Sequence, residues 1–159
     1  MITHPIAPVF DGCSEILILG SFPSVKSRET AFFYGHPQNR FWRVLAALFE
    51  EETPETVEEK RAFLLRRRIA VWDVLAACDI EGSADSTISG AIPNDLTVIL
   101  DAAPIRRIYV NGQTAKKYYD RFLKPRLERE AYPLPSTSPA NAAWSLARLT
   151  EAWRCILNE

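Results

Sequence analysis

Short apolar runs alternate along the chain with segments whose apolar positions recur at helical spacing. Such runs predict buried parallel strands, because a strand that is covered on both faces is apolar throughout. The predicted strands are Glu15–Gly20, Ile69–Val74, Arg107–Gly112 and a weaker one at Glu130–Leu134. The predicted helices run from Asn39 through Phe49, over Glu55–Arg67, from Pro93 to about Ala103, over Gln113–Leu123 and from Pro139 to about Leu157.

Two of these helices have clear core stripes. The first stripe is Phe41, Trp42, Leu45, Leu48 and Phe49, and the last is Leu146, Leu149, Trp153 and Ile156. Proline suits a first helical turn, so Pro139 places Ser138 near an N-cap. Ser21–Gln38 and Cys78–Gly90 are predicted to be loops. The first is long for a connection in a small domain, which is typical of a functional loop.

Strands that alternate with helices predict the α/β class, here a three-layer α/β/α sandwich around a short, mostly parallel four-stranded sheet. We expect residues 1–159 to form a single domain. Ligands of such sheets bind outside the carboxyl ends of the strands. The loops after the first, second and fourth strands, and Asn111 at the end of the third, are therefore expected to converge on one cleft.

Composition narrows the function without naming it. The 159 residues are 47% hydrophobic and 25% charged, with a formal net charge of -1, which is typical of a folded protein and not of one that coats nucleic acid. Three scattered cysteines and two histidines predict no disulfide framework, metal site or cofactor. No apolar run approaches the roughly 18 residues of a membrane span. With no secretory pattern in Met1–Asp11, we expect a cytoplasmic monomer.

Several common catalytic motifs are missing. The first strand is not followed by a Walker loop, and the chain contains neither G-x-G-x-x-G nor G-x-S-x-G. The distinctive stretch is Phe32–Trp42, in which five aromatic rings, a histidine, an asparagine and an arginine surround a Gly/Pro turn. Aromatic faces stack on nucleobases, and amides orient polar partners.

This stretch and four others resemble the uracil-DNA glycosylase superfamily, specifically its hypoxanthine (deoxyinosine) DNA glycosylase branch. The Gly-His-Pro-x-Asn-x-Phe-Trp string is the most specific element. The resembling segments span nearly the whole chain and are Leu19–Ser24, Tyr34–Trp42, Val71–Val74, Tyr109–Gly112 and Ser136–Asn141.

The resemblance implies a role for each matching residue. Asn39 matches the catalytic asparagine of that branch, and Tyr34 matches the aromatic that stacks on the flipped base. Asp73 and Asn111 match strand-end positions facing the base, with Phe22 and His36 beside them. The expected DNA contacts are Ser24, Lys26, Arg40, Ser136, Ser138, Pro139, Ala140 and Asn141, the last five in a loop that pinches phosphates in the minor groove.

The residues alone leave structural readings open. Asn39 could cap a helix, and Asp73 could do the same at its strand end. Asn111 before Gly112 could simply form a turn, and Ser136–Ser138 could be an ordinary helix start. Many relatives have an acidic or amide catalytic residue in the loop after the first strand, but Ser21–Ser24 contains neither.

The expected activity is monofunctional hydrolysis of the N-glycosidic bond of deaminated bases in single- or double-stranded DNA. Hypoxanthine is the first substrate and uracil a further one, and no metal is required. An amide such as Asn39 could hold the attacking water. Three alternatives remain: a mismatch-type uracil or thymine glycosylase, a non-catalytic domain that binds damaged DNA, and a hydrolase of free nucleosides or nucleotides.

Overall fold

The computed structural model describes residues 1–157, so residues 158 and 159 of the predicted domain lie outside the described residues. The strands are β1 (Ile2–Thr3), β2 (Ile16–Gly20), β3 (Ile69–Asp73), β4 (Leu75–Asp79), β5 (Ser89–Pro93), β6 (Arg107–Asn111) and β7 (Ala131–Leu134). The α-helices are α1 (Val25–Thr30), α2 (Phe41–Leu48), α3 (Val57–Arg66), α4 (Thr97–Leu100), α5 (Gln113–Tyr118), α6 (Lys124–Leu127) and α7 (Leu146–Trp153).

The main sheet has four parallel strands in the order β3-β2-β6-β7. One face packs against α2, α3 and α7, with Phe41, Leu45 and Trp153 at the centre of that core. The other face packs against α4, α5 and the start of β4. This arrangement confirms the predicted α/β class and its parallel four-stranded sheet, because strands buried on both faces read as continuous apolar runs.

A second, antiparallel sheet was not predicted. Its order is β1-β4-β5, so part of the segment Cys78–Gly90 is strand and not loop. The pairing of β4 with β5 shifts register twice, and such irregularity removes the simple alternation that would have marked the strands. Pro93 accordingly ends β5 and does not open a helix, which begins only at Thr97.

Two further boundaries differ from the predictions. The loop after β2 contains the short helix α1, which Ser24 caps by accepting a hydrogen bond from the Ser27 N–H group. The last helix starts at Leu146, with Ser145 as its N-cap, and not near Ser138. Leu146 is consequently exposed and lies outside the core stripe, whereas Leu149 and Trp153 are fully buried.

Asn94 fixes the junction between the two sheets. Its buried side chain donates hydrogen bonds to the carbonyls of Asp73, at 2.9 Å, and Leu75, at 3.1 Å. These carbonyls flank the point where the chain leaves the main sheet. Because β3 ends at Asp73, this contact also holds the backbone that carries the Asp73 side chain.

We expect Asn94→Ala to lower the free energy of unfolding by about 1–3 kcal/mol, because it leaves two buried carbonyls without donors. Chemical denaturation measures the change, with Glu52→Ala in an exposed loop as the control. A loss no larger than that of the control would show that other groups hold the junction.

Candidate active site

Three parallel strands end side by side at the floor of a cleft. Gly20 of β2 is paired with Asp73 of β3. On its other side, the pairing of Leu19 with Val110 places it next to Asn111 of β6. Because side chains alternate along strands, positions 20, 73 and 111 all point to the face that packs against α2 and α7. The floor is thus a carboxylate, a gap and an amide in a row.

Gly20 is necessary to keep that gap open. A Cβ at this position would stand 2.4 Å from Oδ1 of Asp73 and 3.1 Å from the hydroxyl of Tyr34. Real Cβ atoms do not approach other atoms as closely as the first of these distances, so any other residue would displace the carboxylate. The missing side chain brings Asp73 and Tyr34 to the same small space.

His4 orients the Asp73 carboxylate. The Nε2 atom of His4 lies 2.7 Å from Oδ2 of Asp73, and both side chains are buried. Nδ1 of the same ring accepts a hydrogen bond from the Ile6 N–H group at 3.1 Å. An accepting Nδ1 carries no proton, so the proton is on Nε2 and is donated to Asp73. A neutral imidazole therefore holds Oδ2 and leaves Oδ1 facing the gap above Gly20.

Tyr34 lies over the gap in a strained conformation. Its φ of 51° is left-handed, which costs an aromatic residue about 1–2 kcal/mol. The ring stacks on Phe41 with centroids 3.9 Å apart, and the indole of Trp42 donates to the Tyr34 carbonyl. The hydroxyl is buried and has no hydrogen-bond partner among the described residues. Burial, and secondarily the charge of Asp73, raises the pKa of this hydroxyl far above its ordinary value, against a smaller lowering by the Asn111 side chain, so the group remains a donor.

Asn111 is occupied by the loop that follows β7. Its Nδ2 donates to the Thr137 hydroxyl at 3.0 Å, and its Oδ1 accepts from the Thr137 N–H group at 3.1 Å. Thr137 is fully buried. One N–H group and one oxygen lone pair of the amide therefore hold the loop, which gives Asn111 a positioning role and leaves its second N–H group and second lone pair for a further contact.

Arg40 holds the same loop from the other side. Its guanidinium donates to the carbonyls of Ser138 and Asn141, each at 3.0 Å, and to that of Trp144. Its backbone N–H group donates to the Thr137 carbonyl. These contacts explain why residues 138–144 form turns where a helix was predicted. They also direct a residue expected at a DNA phosphate into the protein.

Asn39 and His36 line the wall of the cleft. Oδ1 of Asn39 accepts from the Phe41 N–H group at 2.9 Å, so Asn39, one position before the N-cap residue Arg40, satisfies the first N–H group of α2. An amide oxygen has two lone pairs, which leaves one acceptor site and the Nδ2 donors for another partner. His36 Nδ1 accepts from the Gln38 N–H group, which leaves Nε2–H as its free donor.

The cleft has a volume of about 340 Å³, within the range of ligand-binding pockets. It brings together most of the predicted site residues: Phe22, Ser24, Tyr34, His36, Asn39, Asp73, Asn111, Ser136, Ser138, Pro139 and Ala140. Asn141 lines an adjoining groove. Lys26 is exposed on α1 outside this lining, and its Nζ lies 4.0 Å from Oε2 of Glu29. In residues 1–157, no cluster of three or more His, Cys, Asp or Glu is arranged to hold a metal ion.

Three residues of the site were missed from the sequence, namely His4, Thr137 and Asp85. The hydroxyl of Ser21 donates to Oδ1 of Asp85 at 3.1 Å. Asp85 is exposed as a residue, but its carboxyl group faces the cleft. Desolvation, together with the charge of Asp73, raises the pKa of this carboxyl group. Asp85 and His4 come from segments without any motif. Each is hydrogen-bonded to a site residue that lies more than 60 positions away in the sequence.

The fold and this strand-end cleft define a class. The family model of the uracil DNA glycosylase superfamily matches residues 8–157, and the chain belongs to that superfamily. The predicted class of enzyme, a DNA glycosylase, is thereby confirmed. No helix within the described part of the chain is long and apolar enough to cross a membrane.

Two proteins and one solved structure from Methanosarcina species are similar to this chain. A protein of Methanosarcina acetivorans named hypoxanthine DNA glycosylase is 37% identical over 98% of both chains. A protein of the same name from Methanosarcina barkeri is 36% identical over 70% of this chain and 72% of its own. The solution NMR structure of a candidate uracil DNA glycosylase from M. acetivorans matches with a TM-score of 0.81 and 34% identity, covering 99% of this chain and all of that one.

We expect ¹⁵N NMR to show His4 as a neutral Nε2–H tautomer at neutral pH, because its Nδ1 accepts and its Nε2 donates. The chain has two histidines, so a His4→Gln variant assigns the signals. Two protonated ring nitrogens on His4 would instead mean that an imidazolium pairs with Asp73.

Proposed function

We propose that this member of the superfamily is a monofunctional DNA glycosylase that removes deaminated bases, hypoxanthine first and uracil second, in base excision repair. We expect it to act as a monomer in the cytoplasm on duplex or single-stranded DNA. The single observation that carries the substrate assignment is the pair above Gly20: an acceptor, Oδ1 of Asp73, beside a buried donor without a partner, the hydroxyl of Tyr34.

This pair complements the edge of a deaminated base. Hypoxanthine presents the N1–H donor next to the O6 acceptor, and uracil presents N3–H next to O4. Asp73 accepts from the ring N–H group, while Tyr34 donates to the neighbouring carbonyl. Adenine reverses both groups, so its N1 lone pair would face a carboxylate and leave two buried groups unmatched, which is strongly unfavourable. Asn111 spends one N–H group and one lone pair on Thr137, so its second N–H group is left as a further donor beside this pair.

Flipping adds a second selection. A nucleotide must leave the stack to reach the floor of the cleft, and that costs least for a weakly paired base. Hypoxanthine and uracil arise opposite the partners of the original bases and pair poorly with them. Guanine shares the N1–H and O6 edge, but its full pairing with cytosine opposes extrusion.

Asn39 positions the attacking water in this proposal. The free lone pair of its Oδ1 accepts from the water, whose oxygen is thereby directed at C1′ of the flipped nucleoside. The new C1′–O bond forms as the bond from C1′ to the base nitrogen breaks. The electron pair of the broken C1′–N bond goes to the base. Negative charge spreads to the base carbonyl, where the Tyr34 hydroxyl stabilises it.

Serine hydroxyls of the loop at 136–141 supply donors to the DNA backbone. Ser136 accepts from the Ser138 N–H group and Ser138 from the Ala140 N–H group, so each hydroxyl keeps its own proton for a phosphate oxygen. Pro139, Ala140 and Asn141 lie at the turn that would enter the minor groove, and Ala140 is its exposed residue. In this assignment Arg40 positions the loop, and Lys26 is an outlying phosphate contact.

We expect Asn39→Ala to lower the single-turnover rate on a deoxyinosine duplex by about 10²-fold or more, because the water is no longer oriented. The change also removes a helix cap worth about 1 kcal/mol, so stability is measured in parallel. Asn39→Asp keeps an oxygen for both the cap and the water, so it should retain more of the rate than Asn39→Ala. Gln38→Ala, at an exposed neighbour in the same turn, is the control.

Each alternative function has its own outcome in this assay. Binding without release of a base by the wild type would indicate a domain that only recognises damage. Release confined to G·U or G·T mispairs would indicate a mismatch-type glycosylase. Hydrolysis of free deoxyinosine at a comparable rate would indicate a nucleoside hydrolase.

Tyr34→Phe is expected to separate stability from activity. The free energy of unfolding should stay unchanged or rise, because the variant removes a buried hydroxyl that has no partner. The kcat/KM for deoxyinosine should fall about tenfold, since one hydrogen bond of roughly 1–1.5 kcal/mol is lost. Tyr132→Phe, at an exposed tyrosine, is the matched control. Full activity in Tyr34→Phe would exclude the hydroxyl from base recognition.

A further inference from the structure

Asp85 is a carboxylate without a countercharge in a cleft that we propose binds DNA. It opens a short 3₁₀ turn, Asp85–Thr87, in the segment between β4 and β5. Within residues 1–157, no lysine, arginine or histidine nitrogen lies within 4.0 Å of it. A carboxylate in such a place repels phosphate and therefore weakens the binding of DNA. A contribution to the reaction would offset this disadvantage.

The hydrogen bond from Ser21 fixes where this carboxylate stands. Ser21 belongs to the loop after β2, whose residues Ser21–Ser24 include no carboxylate or side-chain amide. The bond at 3.1 Å brings Asp85 to that loop from a different part of the chain. Asp85 lines the cleft with Asn39 and Asp73, and it also borders the adjoining groove.

We propose that Asp85 is a second catalytic residue, which accepts the proton of the water that Asn39 positions and stabilises the cationic sugar. This inference rests on the proposed glycosylase function. As the water oxygen bonds to C1′, one water proton passes to the Asp85 carboxylate and the electron pair of the glycosidic bond leaves with the base. The proton then transfers to the departed base or to solvent, and Asp85 is ionised again.

Groups around Asp85 suit this role. Desolvation most strongly, and the charge of Asp73 with it, raises the pKa of this carboxyl group, whereas the hydroxyls of Ser21 and Thr114 lower it. His36 lines the same cleft, and His4 is turned away towards Asp73. The net upward direction makes Asp85 a stronger base than an exposed aspartate. Activity should therefore decline as the pH falls through the raised pKa, because protonated Asp85 cannot accept the water's proton.

The decisive experiment compares Asp85→Asn with wild type on a deoxyinosine duplex under single-turnover conditions across acidic to neutral pH. General base catalysis typically contributes about 10²–10⁴-fold to a rate, so we expect the single-turnover rate of Asp85→Asn to fall by at least about 10²-fold. The rate of this variant should also depend less on pH in the acidic range than the wild-type rate does. Affinity for an uncleavable 2′-fluoro-deoxyinosine duplex should be unchanged or higher, because a negative charge has been removed. Glu81→Gln, an exposed acidic residue of the same segment, is the control.

The outcomes separate this inference from the proposed function. A wild type that releases no base would overturn the function itself. An active wild type with Asp85→Asn equally fast or faster would show that the carboxylate only repels DNA, and would overturn the inference alone. Ser21→Ala provides a second variant, expected to lose several-fold in rate while the acidic limb remains. If Asp85→Asn does not fold, an unaltered rate in Ser21→Ala would count against the inference.

Discussion

The site depends on one steric constraint, the absence of a side chain at Gly20 between two strands that each end in a polar residue. Parallel register places Asp73 and Asn111 on either side of it and on the same face of the sheet. A Cβ at this point would overlap Oδ1 of Asp73. The pocket floor is therefore a property of the sheet itself. Loops supply the walls but not the geometry at which a base edge would be read.

Buried polar groups around this floor divide into those that are satisfied and those that are not. Asn111, Thr137 and Arg40 use their hydrogen-bonding groups on one another and on the loop at 136–144, so they build the cleft. The Tyr34 hydroxyl has no partner among the described residues, and the Asp85 carboxylate accepts from Ser21 but has no countercharge there. Leaving the buried hydroxyl unmatched costs free energy, and a protein retains such a group where a ligand completes the pairing. At this floor, the unpartnered hydroxyl therefore indicates the ligand more directly than the satisfied amides do.

The sequence predicted what depends on local pattern and missed what depends on distant contacts. Apolar runs gave the four parallel strands, and the rule that ligands bind at carboxyl ends brought Asn39, Asp73 and the loop at 136–140 together. The start of the last helix was misplaced because Arg40, about a hundred positions away in sequence, bonds to the carbonyls that a helix would have used. His4 and Asp85 had no signal at all, since each stands in an unremarkable segment and acquires its role only through folding.

The charge of the protein bears on how such an enzyme would distinguish damage from the excess of normal DNA. With a formal net charge of -1 and two carboxylates at the cleft, the protein offers little general attraction for phosphates. Weak non-specific binding is an advantage here, because specificity is a difference between affinities. In the proposed mechanism, favourable contacts arise mainly when a base with a ring N–H group beside a carbonyl enters the floor and pairs with Asp73 and Tyr34. The same negative charge that weakens the encounter with intact DNA then faces the sugar as it becomes cationic. The two carboxylates thus repel DNA phosphates before the reaction and stabilise the cationic sugar during it.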